Sequence, residues 1–228
     1  MDRKPSVAID LLRLGVMDTT AALASHHRIA EAFGADPDRL ADWEYYLETC
    51  CDPDLALDAL ADLAQEYAQC VGELLGDDAS ACRLVRLLGA SSEFGHHLIA
   101  HPDDLAEVTR DPVRLGRDEI LNDLLEVVGA HREGEFMVAE TPIGPASDRL
   151  RLANRRHLVR IASRDVDADD PTEIIEDIAA ELADLADAIV TAALALARAD
   201  CPNHADARLA VVAMGKCGAQ ELNYISDV

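Results

Sequence analysis

Aromatic residues are scarce in this 228-residue chain: three Phe, four Tyr and one Trp make up 4% of it. Strands draw on aromatic and β-branched side chains, so a chain that is 50% hydrophobic and built mostly on Ala and Leu favours helices over sheet. Basic residues are outnumbered by acidic ones, 20 against 44, for a formal net charge of -24. Phosphate backbones would be repelled by such a surface, which excludes a general nucleic-acid binder. A small anion site built from backbone dipoles and a metal survives the argument, because salt screens the distant field within roughly 10 Å. The six cysteines, Cys50, Cys51, Cys70, Cys82, Cys201 and Cys217, show neither a CxxC pair nor a disulfide framework, and the opening MDRKPSVAIDLLRLG lacks a signal peptide's apolar core. The expectation is a reduced, cytoplasmic protein. The longest largely apolar run, Ala188 to Ala197 with Thr191 inside it, is too short to cross a bilayer, so no membrane partner is expected.

What is present is helix punctuation. Asp-Pro pairs combine an N-cap with a proline at the first helical position. Asp52-Pro53 predicts a helix carrying Leu57, Leu60, Leu63, Ala64, Tyr67, Val71 and Leu74 and closed by Gly76. Asp170-Pro171-Thr172-Glu173 predicts another with the acid of a capping box in place. In it Ile174, Ile178, Leu182, Leu185, Ile189 and Leu196 share a face, and Glu176, Asp177, Glu181, Asp184 and Asp187 are expected largely opposite. The pairs at Asp36, Asp52, Asp111 and Asp170 are irregularly spaced, so no repeat array is read. The stretch His131 to Asp148, holding Gly134, Pro142, Gly144 and Pro145, reads as a long loop. His97 and His101 lie four apart, but no third ligand stands at a metal-binding spacing and Pro102 interrupts the helix beside them. Vicinal Cys50-Cys51 is read as packing.

The candidate site is the stretch LAVVAMGKCGAQELNYISDV, Leu209 to Val228. Its opening apolar run, Leu209 to Met214, has no polar alternation and is read as a buried strand. A glycine-punctuated turn follows, Gly215-Lys216-Cys217-Gly218-Ala219, then a short helix expected over Gln220 to Tyr224 and an extended end through Ser226 and Asp227. Neither the Walker nor the dinucleotide spacing is present. The residues alone fit two readings: a nucleotide-phosphate and metal site, or a structural turn followed by a surface aspartate.

The run MGKCGAQELNYISDV resembles the nucleotidyltransferase signature of the glutamine-synthetase adenylyltransferase/adenylyl-removing enzymes, and two upstream segments resemble the same family: LLGASSEFGHHLIAHPDDL, Leu87 to Leu105, and LRLANRRHLVRIASRDV, Leu150 to Val166. The sequence departs from the family pattern at Cys217, where leucine is usual, and at Ala219, where glycine is usual. The resemblance implies that Gly215, Lys216, Gly218 and Ser226 bind nucleotide. It also implies that Asp227 is a catalytic residue and magnesium ligand, the first of a carboxylate pair whose second member would follow Val228. The fold so implied is mainly α: a helical region over residues 1–203, then from 204–228 the truncated start of a mixed α/β, polymerase-beta-like nucleotidyltransferase domain. The implied chemistry is removal of an adenylyl group from a tyrosine of glutamine synthetase by phosphorolysis, with Mg2+, phosphate and ATP or ADP as cofactor and substrates and a PII-type signalling protein as a further partner. Such a chain is expected to be an N-terminal fragment, inactive alone.

Two other classes stay in view. Residues up to Asn203 would serve as a docking or regulatory module for glutamine synthetase or the PII-type protein, and a uridylyltransferase of the signalling protein would share the superfamily. The Glu221-Leu222-Asn223-Tyr224 segment and the Leu150 to Val166 match speak against the latter. The arginines of that match, Arg156, Arg160 and Arg164 with Arg151 and Arg155 beside them, allow two roles: a solvated face paired with carboxylates such as Asp165 and Asp167, or phosphate contacts at the site.

Overall fold

The computed structural model describes residues 6–140 and 143–225, which form two compact units, Met1–Asp111 and Pro112–Val228. The chain is mainly helical, as its composition requires, and among the described residues the one sheet is a two-stranded hairpin.

The first unit runs α1 (Val7–Arg13), α2 (Thr19–Phe33), a 3-10 helix (Asp42–Thr49), α3 (Pro53–Leu75), α4 (Asp78–Ala90), α5 (Ser92–Ala100), a 3-10 turn (Pro102–Leu105) and α6 (Ala106–Thr109). The expected cap at Asp52 is in place, accepting from the Leu55 N–H, and Ser91 caps α5 by accepting from the Glu93 N–H. α3 packs on α2, α4 and α5, and its fully buried Leu57, Leu60 and Leu63 meet Leu84, Leu87, Leu88 and Leu98 in the core. Gly89 lies in the last turn of α4; a Cβ there would overlap Cys50 Sγ and stand 2.8 Å from the Asp52 carbonyl oxygen. Its role is close packing. His97 is tied through Nε2 to Asp104 Oδ2 at 2.7 Å.

The second unit contains α7 (Arg117–Val127), β1 (His131–Glu133), β2 (Phe136–Val138), α8 (Ile143–Asp167), α9 (Pro171–Ala199), a 3-10 turn (His204–Asp206) and α10 (Gly215–Gly218). Its core lies along α9, against which α7, α8 and β2 pack, with Ile120, Leu124, Ala153, Ile161, Leu182, Leu185 and Ala192 buried. Asp170 caps α9 by accepting from the Thr172 N–H.

Three expectations are corrected here. The stretch 131–148 is not a long loop: it holds an antiparallel hairpin, with Glu133 opposite Phe136 and Gly134 at φ +60 in the two-residue connection, and then the first turn of α8. Pro145 is accommodated because a proline in a helix's first turn removes no intrahelical bond. The run Leu209–Met214 lies in no helix or strand and pairs with no strand among the described residues, and it is exposed, Leu209 by 62% and Met214 by 82%. A strand without neighbours has nothing to bury against. The helical turn falls on Gly215–Gly218 instead of on Gln220 to Tyr224, where Gln220 at φ +58 is incompatible with right-handed helix. The expected start of a domain at residue 204 lies within the second unit.

Candidate functional site

The backbone explains both glycines of the turn. Gly215 sits at φ +62, the left-handed region that other residues enter only at a cost. Gly218 is pressed against the preceding run: a Cβ would overlap the Ala213 carbonyl oxygen and stand 2.9 Å from its carbon. Lys216 is held between them, and the turn is closed by Ala219 N–H to Gly215 O at 3.0 Å and Glu221 N–H to Lys216 O at 2.8 Å. The leading N–H groups of such a turn have no partner within it, which suits them to an anion.

The turn borders a cleft of about 720 Å3 whose opposite wall is the middle of α9, with Asp187 and Thr191, and the start of α7, with Arg117. Arg117 donates to Asp187 Oδ2 at 2.8 Å. With Lys216 the cleft carries two cations against one carboxylate, a local positive balance in an acidic chain. Burial, and then Asp187, push the Cys217 thiol above its ordinary pKa, so it is a packing group at neutral pH. Gly215 and Lys216 therefore line the cleft, and Gly218 follows them in the same turn. Ser226 and Asp227 lie outside the described residues. Among the described residues no group of three His, Cys, Asp or Glu side chains is arranged to hold a metal.

The arginine-rich helix turns inward. Arg160 donates to Glu181 Oε1 at 2.8 Å and Arg164 to Glu181 Oε2 at 2.7 Å; Arg164 also reaches Asp177 Oδ2 at 2.6 Å. Arg114 joins Asp177 to Asp184, the latter at 2.8 Å. Glu181 is fully buried and takes a third bond from the Leu115 N–H at 3.2 Å. Burial opposes the Asp177 carboxylate, but the bonds from Arg164 and Arg114 outweigh it and hold its pKa below the ordinary value. Two expectations are corrected by this. Arg160 and Arg164 pair with α9 carboxylates rather than with Asp165 and Asp167, and Glu181 and Asp184 are buried rather than on a solvated face. The signal was available in the spacing: 177, 181 and 184 form an i, i+4, i+7 stripe that matches 160 and 164 on the preceding helix.

Residues beyond the turn were missed by sequence reasoning. Leu222 is 6% exposed and sits in a slot with Leu158, Leu182, Leu185 and Ile189. Tyr224 donates its hydroxyl to Asp165 Oδ2 at 3.1 Å, and Gln220 Nε2 donates to Asp184 Oδ1 at 3.4 Å. Tyr224 is 40% exposed as a residue, but burial of its phenol end first, and then Asp165, push that phenol above its ordinary pKa.

A mainly helical protein whose chain runs into a glycine turn with a lysine between its glycines is a class shared with known proteins. The glutamate-ammonia ligase adenylyltransferase family matches residues 81–228, and this chain belongs to that family. The chain is 85% identical over 228 residues to the bifunctional glutamine synthetase adenylyltransferase/adenylyl-removing enzyme of Cutibacterium acnes, covering all of this chain and 23% of that protein. It is 41% identical over 241 residues to the enzyme of the same description from Streptomyces coelicolor and 36% identical over 232 residues to that of Bifidobacterium longum subsp. infantis, covering 99% of this chain and 21% of each relative. The chain thus spans under a quarter of the length of these relatives. No solved structure matches it.

Proposed function

We propose that residues 204–228 open the nucleotidyltransferase domain that removes adenylyl groups from a tyrosine of glutamine synthetase by phosphorolysis, and that the helices before them are its scaffold. The observation that carries this reading is the turn itself. Two positions demand glycine, one for its dihedral angle and one for lack of space, with Lys216 between them at the mouth of a cleft. The turn's leading N–H groups and Lys216 would bind and orient the phosphates, so that the chemistry proceeds by positioning and charge stabilisation. Arg117, held by Asp187, adds a second cation on the far wall. Magnesium, held by Asp227, would offset charge on the transferring phosphoryl group. The exposed apolar run Leu209–Met214 would be an inner strand of that domain, paired with strands supplied by the rest of a longer protein.

The test is a chimaera in which this chain replaces the matching 23% of the Cutibacterium acnes enzyme. The expected result is phosphate-dependent release of ADP from adenylylated glutamine synthetase, reduced at least about tenfold by Lys216→Ala, the loss of one charged phosphate contact. The 228-residue chain alone is expected to release none. An active chimaera indifferent to Lys216→Ala would overturn the assignment of the turn.

A further inference from the structure

The segment that follows the glycine turn is fastened to the scaffold at three points. Gln220 reaches Asp184 on α9, Leu222 fills the slot formed by Leu158 of α8 with Leu182, Leu185 and Ile189 of α9, and Tyr224 reaches Asp165 near the end of α8. The outer points use carboxylates on different helices, and Asp184 is itself tied into the arginine network. Asp184 spends its other oxygen on Arg114, while Asp165 follows Arg164, whose guanidinium bridges Asp177 and Glu181. Arg164 and Glu181 are the other charged groups that act on the Tyr224 phenol. Upstream, the Glu221 N–H holds the Lys216 carbonyl, so the fastened segment is also bonded to the turn.

We propose that Asp165 and Asp184 are positioning residues, which latch Gln220, Leu222 and Tyr224 into the groove between α8 and α9 and thereby fix the glycine turn. The proposal deepens the preceding one, since the positions being fixed matter only if the turn holds nucleotide. It gives the arginine-rich helix a role in the site without any of its own arginines touching phosphate: Arg160 and Arg164 tie α8 to α9, and the groove between those helices receives the latch. Either carboxylate alone would leave the segment free to pivot about Leu222.

Hydrogen exchange of the 228-residue chain tests the latch directly. Asp165→Ala is expected to speed exchange at the amides of Ala219, Gln220 and Glu221 by about fivefold, the factor for one hydrogen bond of ordinary strength, while α9 exchanges as before. Asp165→Asn should restore protection, because its amide oxygen accepts the phenol hydrogen as the carboxylate does. In the chimaera Asp165→Ala should lower kcat several-fold with little change in KM for adenylylated glutamine synthetase, again with recovery by Asp165→Asn. Unchanged exchange at residues 219–221 in Asp165→Ala would overturn the proposal. So would equal loosening of α9, which would make Asp165 a support of the bundle and not of the latch. A chimaera insensitive to Lys216→Ala overturns the nucleotide reading while the exchange result stands on its own.

Discussion

Gly218→Ala isolates the geometry of the turn from the stability of the scaffold. The added Cβ would overlap the Ala213 carbonyl oxygen and stand 2.9 Å from its carbon, where ordinary contacts begin at 3.4 Å. The obstacle is backbone, which cannot swing aside as a side chain would, and its oxygen is nearer than its carbon, so the turn must move by about 1 Å to clear it. A misplacement of about 1 Å at a reacting centre costs roughly a hundredfold in rate, which is the loss expected here. The global fold should not register the change, because Gly218 is exposed and the core of the second unit lies along α9. The assay is phosphate-dependent ADP release by the chimaera, with thermal unfolding of the 228-residue chain as the control. Full activity in Gly218→Ala, with Lys216→Ala still impaired, would show that the turn is not used in the conformation described and would refute the argument from lack of space.

Two further predictions concern the first unit, whose single tryptophan, Trp43, is buried and reports its unfolding by fluorescence. His26 donates through Nε2 to the Pro37 carbonyl at 3.0 Å, so the proton shared over 2.6 Å between Nδ1 and Glu44 Oε1 makes a buried pair, and Glu44 also accepts from the Ala41 N–H. Burial disfavours the imidazolium, but the Glu44 bond and charge with the Pro37 carbonyl outweigh it and raise the His26 pKa above 6.5. A raised value means that the stabilisation is complete below pH 6.5 and fades as pH rises through the folded-state value, so the urea midpoint should fall above pH 6.5. Glu44→Ala strands a buried imidazole and a backbone N–H and should cost about 3–5 kcal/mol, whereas Glu44→Gln can donate to neutral Nδ1 while accepting from Ala41, should cost about 1 kcal/mol, and should abolish the pH dependence. Equal losses in the two variants, or a midpoint indifferent to pH in the unsubstituted chain, would count against the pair. Gly89→Ala must displace α4 from Cys50 and the Asp52 carbonyl, an overpacking of about 1–3 kcal/mol that should lower the unit's Tm by roughly 5–15 °C. An unchanged Tm would mean that the contact relaxes freely.

What the sequence makes legible is what its chemistry decides locally. The caps at Asp52 and Asp170 act within three residues of themselves, and each is found where the sequence places it. The stretch 131–148 fails the same test because three-residue strands carry no period to read, and Pro145 marks the opening turn of a helix as readily as a loop. The run Leu209–Met214 shows the opposite limit: its composition is that of an inner strand, but burial is a property of its neighbours, and none pairs with it among the described residues.

The latch was illegible for a numerical reason. Asp165 and Tyr224 stand 59 positions apart, and in a chain with 44 acidic residues no spacing rule selects one carboxylate as the partner of a given phenol. What selects it is the buried arginine network, which fixes the two helices against each other and leaves Asp165 and Asp184 at the edges of the groove that receives Leu222. A glycine turn is recognisable because backbone geometry limits which residues can form it, whereas its orientation depends on carboxylates that become distinguishable only after the arginines have been paired. The functional reading of this chain therefore rests on two kinds of residue: Gly215 and Gly218, whose identities the local backbone dictates and which flank Lys216, and Asp165 and Asp184, whose importance exists only in the folded scaffold.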